Sequence, residues 1–106
     1  MSEKQLDAQE YLHKILLARI YDLVRVTSLQ KLESLSARLG VNVLLKREDL
    51  QKIHSFKLRG AYNMIKGLSQ AQLKAGVITA SAGNHAQGVA LATQKLGVRA
   101  VIVMPT

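Results

Sequence analysis

The first clear pattern along the chain is an apolar stripe at helical spacing near the N-terminus. It predicts a helix over about residues 7–21, and we expect its apolar side chains to be core or subunit-contact positions. The stripe consists of Leu12, Ile15, Leu16 and Ile20. Residues 29–35 fit either a short strand or a helical turn, and residues 35–39 predict a turn of helix that Gly40 ends.

The middle of the chain predicts a strand followed by a second helix. Residues 41–45 alternate in hydrophobicity and predict a strand that ends at the charged sequence KRED. Ser55 is a good N-cap for the next helix, since its hydroxyl can accept a hydrogen bond from a free N–H group of the first turn. The apolar stripe of this helix is Leu58, Ala61, Tyr62, Ile65 and Leu68. Residues 69–76 have the composition of a polar connection.

The last third of the chain has the pattern of a β-α-β unit. Residues 77–80 predict a short buried strand, residues 85–96 a helix that Gly97 ends, and residues 99–105 a second buried strand. Two such strands joined through one helix by short loops predict a right-handed crossover and a parallel sheet. We therefore expect an α/β fold, a partial parallel sheet with flanking helices, and no internal domain boundary across residues 1–106.

Composition excludes several classes of protein. The chain has 106 residues, enough for one small domain, and no cysteine, which excludes disulfides, thiolate nucleophiles and cysteine-based zinc sites. Its longest apolar runs are far shorter than the roughly 20 residues of a membrane span. Its polar N-terminus has the features of neither a signal peptide nor a transit peptide. We expect a cytoplasmic protein with no membrane partner.

Charge is distributed unevenly along the chain. The net charge is +8, and all seven acidic residues lie at or before Asp49. Residues 50–106 contain seven Lys or Arg and no carboxylate, so acid–base chemistry there must use lysine, histidine, serine or tyrosine. Positive charge beside glycine-containing turns favours a small anionic ligand such as a phosphate or a carboxylate. Alternatively, the compensating acids belong to a part of the protein outside these residues.

Lys57 is the first candidate for chemistry. In the first turn of the helix that Ser55 would cap, the positive end of the helix dipole disfavours a charged ammonium, and Lys52 and Arg59 lie nearby in the sequence. These effects favour the neutral amine, a nucleophile that can form an imine with an aldehyde such as pyridoxal phosphate. The alternative is an ordinary exposed lysine.

The sequence SAGNHAQG is the second candidate. Its first residues would form a strand-to-helix turn at the carboxyl end of a parallel strand, where α/β proteins bind ligands. Ser81, Gly83 and Asn84 would present their polar groups and backbone beside the N–H groups of a helix start, which can hold a carboxylate or phosphate. The motif is not a P-loop, because Val89 stands where a P-loop needs lysine.

An alternative is that Asn84 only caps the helix and that His85 only packs in its first turn. His85 has no second ligand at metal-ligand spacing, so we expect no metal site.

Three motifs in order are far more specific than either candidate alone. LLKRED (residues 44–49), HSFKLRGAYNM (54–64) and GVITASAGNHAQGVA (76–90), followed by VIVMPT, resemble the pyridoxal-phosphate-dependent serine/threonine dehydratases, and among these the biosynthetic threonine dehydratases. The resemblance covers nearly the whole chain, from EYLHKILLARIYDLV onward. It implies the N-terminal portion of the tryptophan-synthase-β-like fold (fold type II) and pyridoxal 5'-phosphate as cofactor. It also implies a small amino-acid substrate, L-threonine or L-serine, and a homo-oligomeric full-length form.

The resemblance also implies roles for individual residues. Lys57 would form the imine with the cofactor and then act as base at the α-carbon of the substrate. Phe56 would pack against the pyridine ring, and Asn84 would hydrogen-bond its phenolic oxygen. The loop that receives the substrate carboxylate would consist of Ser81, Gly83, Asn84 and His85. The implied reaction is deamination of L-threonine by α,β-elimination to 2-oxobutanoate and ammonia, the first step of isoleucine biosynthesis.

Two departures from the family pattern bear on this interpretation. Family members usually have proline where Ser28 stands, a turn difference of little chemical consequence. The family's glycine-rich phosphate-binding loop, the group facing the pyridine nitrogen and the C-terminal regulatory domain would all lie beyond Thr106. We therefore expect residues 1–106 to be an incomplete, N-terminal part of a catalytic domain, inactive alone and poorly folded, because its parallel strands are uncovered.

Three alternatives stay open. The same chemistry would act on another substrate in a serine dehydratase or serine racemase, which share the SFK and SAGNH sequences. A basic nucleic-acid-binding module fits the net charge, but a chain with four aromatic residues and no basic run longer than two residues fits it poorly, so we expect no nucleic-acid partner. A non-catalytic remnant would associate with full-length subunits through its first helix.

Overall fold

Residues 6–106 are described by a computed structural model. Residues 1–5 lie outside the described residues. They are part of the polar N-terminus on which the expectation of neither a signal peptide nor a transit peptide rests. The elements in chain order are α1 (Ala8–Leu17), β1 (Leu29–Lys31), α2 (Glu33–Leu39), β2 (Leu44–Lys46), a 3₁₀ turn (Glu48–Leu50), α3 (Lys57–Lys66), α4 (Gln70–Ala75), β3 (Val77–Ala80), α5 (Asn84–Leu96) and β4 (Ala100–Val103).

The strands form two separate two-stranded sheets. β1 and β2 pair antiparallel, and β3 and β4 pair parallel with Val77 opposite Ala100. Helix α5 connects the two parallel strands, which confirms the predicted β-α-β unit and the α/β class. Gly76 precedes β3 with φ +91°, and a Cβ there would lie 2.8 Å from the carbonyl oxygen of Arg99. Only glycine therefore fits where the chain enters this sheet.

The core lies between α3 and α5. The predicted stripe of α3 is confirmed, since its first four members are buried, and Leu68 is half-buried beyond the end of the helix. Leu58 and Ala92 are fully buried, at 0% exposure. The residues of this core are Ile20, Leu23, Val24, Leu58, Ala61, Tyr62, Ile65, Val89 and Ala92. Burial of this apolar surface is the main stabilising contribution to the packing of α3 on α5.

Helix α1 is shorter than predicted, and none of its residues is buried. A capping box of Asp7 and Glu10 begins it, and it ends at Leu17. The prediction of core positions is correct for Ile20, which follows the helix, and wrong for the other three members of the stripe. Those members are exposed, namely Leu12, Ile15 and Leu16. Helical spacing reveals an apolar face but not the surface that covers it, and the subunit-contact alternative stays a prediction.

Two local expectations for the first half of the chain are resolved or corrected. The ambiguous residues 29–35 contain both a strand, β1, and the start of a helix, α2. Gly40 ends α2 with φ 67°, as its position predicts. The strand predicted over residues 41–45 begins later, at Leu44, where pairing with β1 becomes possible.

Residues 70–75 form helix α4, so the expectation of a polar connection is wrong. Ser69 Oγ accepts a hydrogen bond from the Gln72 N–H group, and the Gln72 side chain accepts one from the Ser69 N–H group. This reciprocal arrangement is the capping box that the sequence SQAQ permits, and it satisfies two donors that a short helix would otherwise leave unpaired.

Candidate functional site

Lys57 is the first residue of α3, and its side chain is exposed. The Nζ atom lies 5.3 Å from the centroid of the Phe56 ring, within the range of a cation–π contact. Phe56 occupies the N-cap position and is 59% exposed. The start of α3 therefore presents a primary amine beside a flat apolar ring whose surface is still open to a second flat group.

Ser55 does not cap α3, so the predicted role of its hydroxyl is wrong. The N-cap residue is Phe56, one position later, and no side chain caps the helix. Ser55 Oγ is buried without a hydrogen-bond partner among residues 6–106. The cause is a tight loop before the helix, in which the His54 N–H group donates to the Gln51 carbonyl and His54 adopts a left-handed φ of 56°.

The KRED sequence is joined to α3 by a half-buried ion pair. Arg59 donates to Glu48 Oε1 from Nε at 2.8 Å and from a terminal nitrogen at 2.7 Å. Gln51, 1% exposed, donates to Glu48 at 2.8 Å and exchanges two hydrogen bonds with the backbone of Arg25. Although burial alone would raise the pKa of Glu48, the hydrogen bonds from Arg59 and Gln51 lower that pKa below its ordinary value. The KRED motif is visible in the sequence, but no pattern in the sequence indicates this ion pair or the buried Gln51.

Ser81 holds the start of α5. Its Oγ atom accepts hydrogen bonds from the N–H groups of Gly83, at 3.3 Å, and Ala86, at 3.2 Å. Gly83 is the N-cap residue and Asn84 the first helical residue, so the alternative in which Asn84 caps the helix is wrong. A Cβ on Gly83 would contact nothing within 4 Å. The space in front of this turn is therefore open.

Asn84 keeps its hydrogen-bonding groups available. Within the described part of the chain, its side-chain amide makes no hydrogen bond, and the N–H groups of Asn84 and His85 donate to no acceptor. Unpaired N–H groups at a helix start carry partial positive charge and attract anions. The turn therefore offers donors to a ligand carboxylate or phosphate.

His85 lies on the side of α5 that faces α3 and β3. It lines an apolar groove of about 230 Å³ together with Gly60, Met64 and Ile78. Among residues 6–106, its ring makes no hydrogen bond or ion pair. Its expected part in receiving a substrate carboxylate stays a prediction.

The packing of α3 on α5 brings the two motifs together. Gly88 lies one helical turn after Asn84, and a Cβ there would lie 3.1 Å from the carbonyl oxygen of Lys57. The backbone at the lysine thus touches α5 one turn from the start of that helix. The residues predicted for the site accordingly lie at the beginnings of two helices in direct contact.

The chemistry of these groups fits pyridoxal phosphate. Lys57 offers an amine for its aldehyde, Phe56 an apolar face for its ring, and Asn84 an unpaired amide for a ring oxygen. By contrast, no three His, Asp or Glu side chains come together as a metal site among residues 6–106. In the same part of the chain, no helix is long and apolar enough to cross a membrane.

The sequence of this chain matches a known protein family. The family described as "Pyridoxal-phosphate dependent enzyme" matches residues 20–106. The chain is 59% identical over 100 residues to the biosynthetic L-threonine dehydratase of Escherichia coli (strain K12), a match that covers 94% of this chain and 20% of that protein. The chain therefore spans about a fifth of the length of this curated relative.

Solved structures agree with this assignment. The processed form of threonine deaminase isoform 2 from Solanum lycopersicum superposes with a TM-score of 0.87 at 58% identity, over 94% of this chain and 30% of that one. Maize serine racemase superposes with a TM-score of 0.80 at 41% identity, over 87% of this chain and 29% of that one. The fold of most of the described residues is therefore that of a segment common to both proteins.

Proposed function

Because the chain belongs to the family of pyridoxal-phosphate-dependent enzymes, we propose that it carries the lysine-bearing part of a site that deaminates L-threonine to 2-oxobutanoate and ammonia. One observation carries the proposal. The exposed amine of Lys57 stands beside the Phe56 ring at the start of α3, in a chain 59% identical to a threonine dehydratase. The 2-oxobutanoate would enter isoleucine biosynthesis.

Lys57 is the proposed base. Pyridoxal phosphate, when bound, supplies an electron sink for the charge that develops at the α-carbon of an amino acid. The Lys57 amine would take the α-proton, and the substrate would lose its β-hydroxyl as water. One water is consumed when the nitrogen is released as ammonia by hydrolysis. Threonine therefore becomes 2-oxobutanoate and ammonia without an external oxidant or reductant.

Two other parts of the site orient the reactants. The exposed Phe56 ring lies beside the Lys57 amine and offers an apolar face to the cofactor ring. The unpaired N–H groups at the start of α5 bind the substrate carboxylate, and the free Asn84 amide fixes the cofactor ring through an oxygen. Ser81 acts indirectly, since its hydroxyl oxygen already holds the N–H groups of Gly83 and Ala86.

The most direct test labels the lysine. The 106-residue chain is mixed with pyridoxal phosphate and reduced with borohydride, and the modified lysines are mapped by mass spectrometry. We expect Lys57 to carry the label in preference to Lys52 and Lys74, which are also exposed. Label spread evenly over the exposed lysines would overturn the assignment of Lys57.

A chimera tests the reaction itself. This chain replaces the matching segment of the Escherichia coli enzyme in cells that have no other threonine dehydratase. Growth without isoleucine is expected, with Lys57→Ala abolishing it and Lys52→Ala preserving it. Growth that survives Lys57→Ala would exclude this lysine as the base. Assays of the purified chimera with L-threonine and L-serine separate the proposed substrate from the alternative that the likeness to a serine racemase favours.

The 106-residue chain is proposed to be inactive without further polypeptide. Support comes from the apolar side chains that β3 and β4 leave exposed, with Ile78 at 73% and Val103 at 50%, and from the fifth of a relative's length that the chain spans. Measurable deamination of threonine by the isolated chain would contradict this. We further propose a cytoplasmic location and a homo-oligomeric complete protein, and the family assignment favours an enzyme over a nucleic-acid-binding module.

A further inference from the structure

We propose that Glu48 is a positioning residue for Lys57, acting through Arg59. This inference rests on the proposed function, because it concerns the placement of the same lysine. It gives a role to the KRED sequence, which forms no part of the Lys57 amine, the Phe56 ring or the turn at the start of α5. Glu48 and Arg59 connect that sequence to the first turn of the helix that begins with the lysine.

The contact has the geometry of a specific clamp. Two guanidinium nitrogens of Arg59 lie 2.8 and 2.7 Å from one oxygen of Glu48, and the two side chains are only 25% and 15% exposed. The other oxygen of Glu48 accepts a hydrogen bond from Gln51 at 2.8 Å. Both oxygens are thus engaged, so the carboxylate itself is held in place.

Arg59 is held from a second direction by the segment before β1. Its guanidinium donates to the Arg25 carbonyl at 3.3 Å and stands 5.9 Å from the centroid of the Tyr21 ring. Gln51 bonds both the N–H and the carbonyl of Arg25, at 3.0 and 2.7 Å. The clamp therefore ties two separate parts of the chain, the segment before β1 and the segment from Glu48 to Gln51, to the first turn of α3.

Helix geometry links this clamp to the lysine. Residues two apart on an α-helix point in directions about 200° apart, so fixing Arg59 toward the KRED segment directs Lys57 toward the opposite side. That side carries the exposed Phe56 ring and the amine. No side chain caps α3, so without the clamp only the packing of Leu58 and the contact with Gly88 would hold its first turn.

The charge distribution makes Glu48 hard to replace. Residues 50–106 contain no Asp or Glu, so within residues 6–106 an acidic side chain that pairs with Arg59 lies earlier in the chain. Asp49 is adjacent but pairs with Arg47 at 2.7 Å, and its side chain is 55% exposed. Asp49 is therefore a matched control, a neighbouring carboxylate in an ion pair that does not reach α3.

The test measures labelling of Lys57 relative to Lys74, an exposed lysine of α4 that serves as internal standard. The purified chimera, in which this chain replaces the matching segment of the Escherichia coli enzyme, is treated with pyridoxal phosphate and borohydride, and the ratio is taken for each variant together with a circular dichroism spectrum. Glu48→Gln should lower the ratio about fivefold or more, Glu48→Asp should recover part of it, and Asp49→Asn should leave it unchanged. Arg59→Lys keeps the charge but loses the forked hydrogen bonds, so it should lower the ratio as well.

The order of the variants separates positioning by the ion pair from simple packing. Gln has the size of Glu, so a packing role predicts that Glu48→Gln matches the wild type and that the shorter Glu48→Asp falls below it. That order, or equal ratios in all variants, would overturn the inference while leaving the Lys57 assignment intact. A wild-type chain that labels Lys57 no more than Lys74 would overturn the proposed function and this inference together.

Discussion

Gly88 of α5 lies directly against the backbone of Lys57, where a Cβ atom would be 3.1 Å from the carbonyl oxygen and 3.2 Å from the carbonyl carbon. Both atoms are backbone, so the contact cannot be relieved by moving the end of a flexible side chain. An alanine at position 88 would therefore require the backbone at Lys57 to move by a few tenths of an ångström. It also means that a change in α5 is transmitted to the residue proposed as the base.

Gly88→Ala should push the two helices apart at this contact. Overpacking of a buried position costs about 1–3 kcal/mol, and we expect a loss of stability in that range for the 106-residue chain. The shift would also move the start of α3, so labelling of Lys57 by pyridoxal phosphate should fall relative to Lys74. The loss of stability is measured by urea unfolding, monitored by far-ultraviolet circular dichroism.

Gly60 provides the matched control for this substitution. It lies inside α3, and a Cβ there would contact nothing within 4 Å. Alanine in a helix interior is favoured over glycine by roughly 0.5–1 kcal/mol, so Gly60→Ala should stabilise the chain. If both alanine variants change the urea midpoint in the same direction, the contact with Lys57 does not limit the packing.

Ser55→Ala should leave stability unchanged or raise it slightly. The buried Ser55 hydroxyl has no hydrogen-bond partner among residues 6–106, so the desolvation penalty relieved by removing it offsets the packing contacts that are lost with it. Ser69 is the contrasting case, because its hydroxyl caps α4 in a reciprocal box with Gln72. Ser69→Ala should cost about 1 kcal/mol. A larger loss in Ser55→Ala than in Ser69→Ala would mean that Ser55 has a stabilising role after all.

The β-α-β unit was predictable because local patterns determine it. β3 occupies the predicted residues 77–80, and α5 begins one residue before the predicted start. Short apolar strands, an amphipathic helix between them and Gly97 at the helix end are all visible without tertiary information. The starts of α3 and α5, and so the placement of Lys57, follow from the same patterns to within a residue.

The network around Glu48 was not predictable from those patterns. Gln51 is a polar residue that is almost fully buried, and its partner Arg25 lies 26 residues away. Nothing in the spacing of apolar residues indicates which distant backbone groups a polar side chain will satisfy. The Ser55 error has a related cause, since the left-handed His54 delays the helix by one residue.

Acid should weaken the attachment of α3 to the segment after α1. Tyr62 donates a hydrogen bond of 2.7 Å to Asp22, and Lys66 pairs with Asp22 at 3.1 Å. The hydrogen bond from Tyr62 and the nearby Lys66 lower the pKa of Asp22 below its ordinary value of 3.8. The unfolded chain then binds this proton more readily, so the stabilisation is present above about pH 4 and is lost as pH falls below that.

Asp22→Asn should flatten this acid dependence, as urea midpoints measured over a series of pH values would show. Tyr62→Phe removes the donor and should flatten it in part, because Lys66 still pairs with the carboxylate. Some dependence should persist in both variants, since the pKa values of Glu48 and Asp49 are also lowered by their arginine partners. An acid slope identical in wild type and Asp22→Asn would show that Asp22 contributes nothing in this range.

His54 has a left-handed backbone conformation and lies three residues before Lys57. Substitutions at His54 should therefore differ strongly in their effect on stability. Its φ is 56°, and its Nδ1 atom lies 2.9 Å from the Asp49 carbonyl oxygen, within hydrogen-bonding distance. Asn tolerates this conformation, Gly adopts it freely but loses the hydrogen bond, and a β-branched residue is strained by roughly 1–2 kcal/mol. His54→Val should therefore lose the most stability to urea, and His54→Asn and His54→Gly should lose much less.

His13→Val is the control, because His13 is exposed within α1 and because histidine and valine have similar helix propensities. Equal losses at the two positions would show that the left-handed turn contributes nothing to holding the chain in front of the lysine.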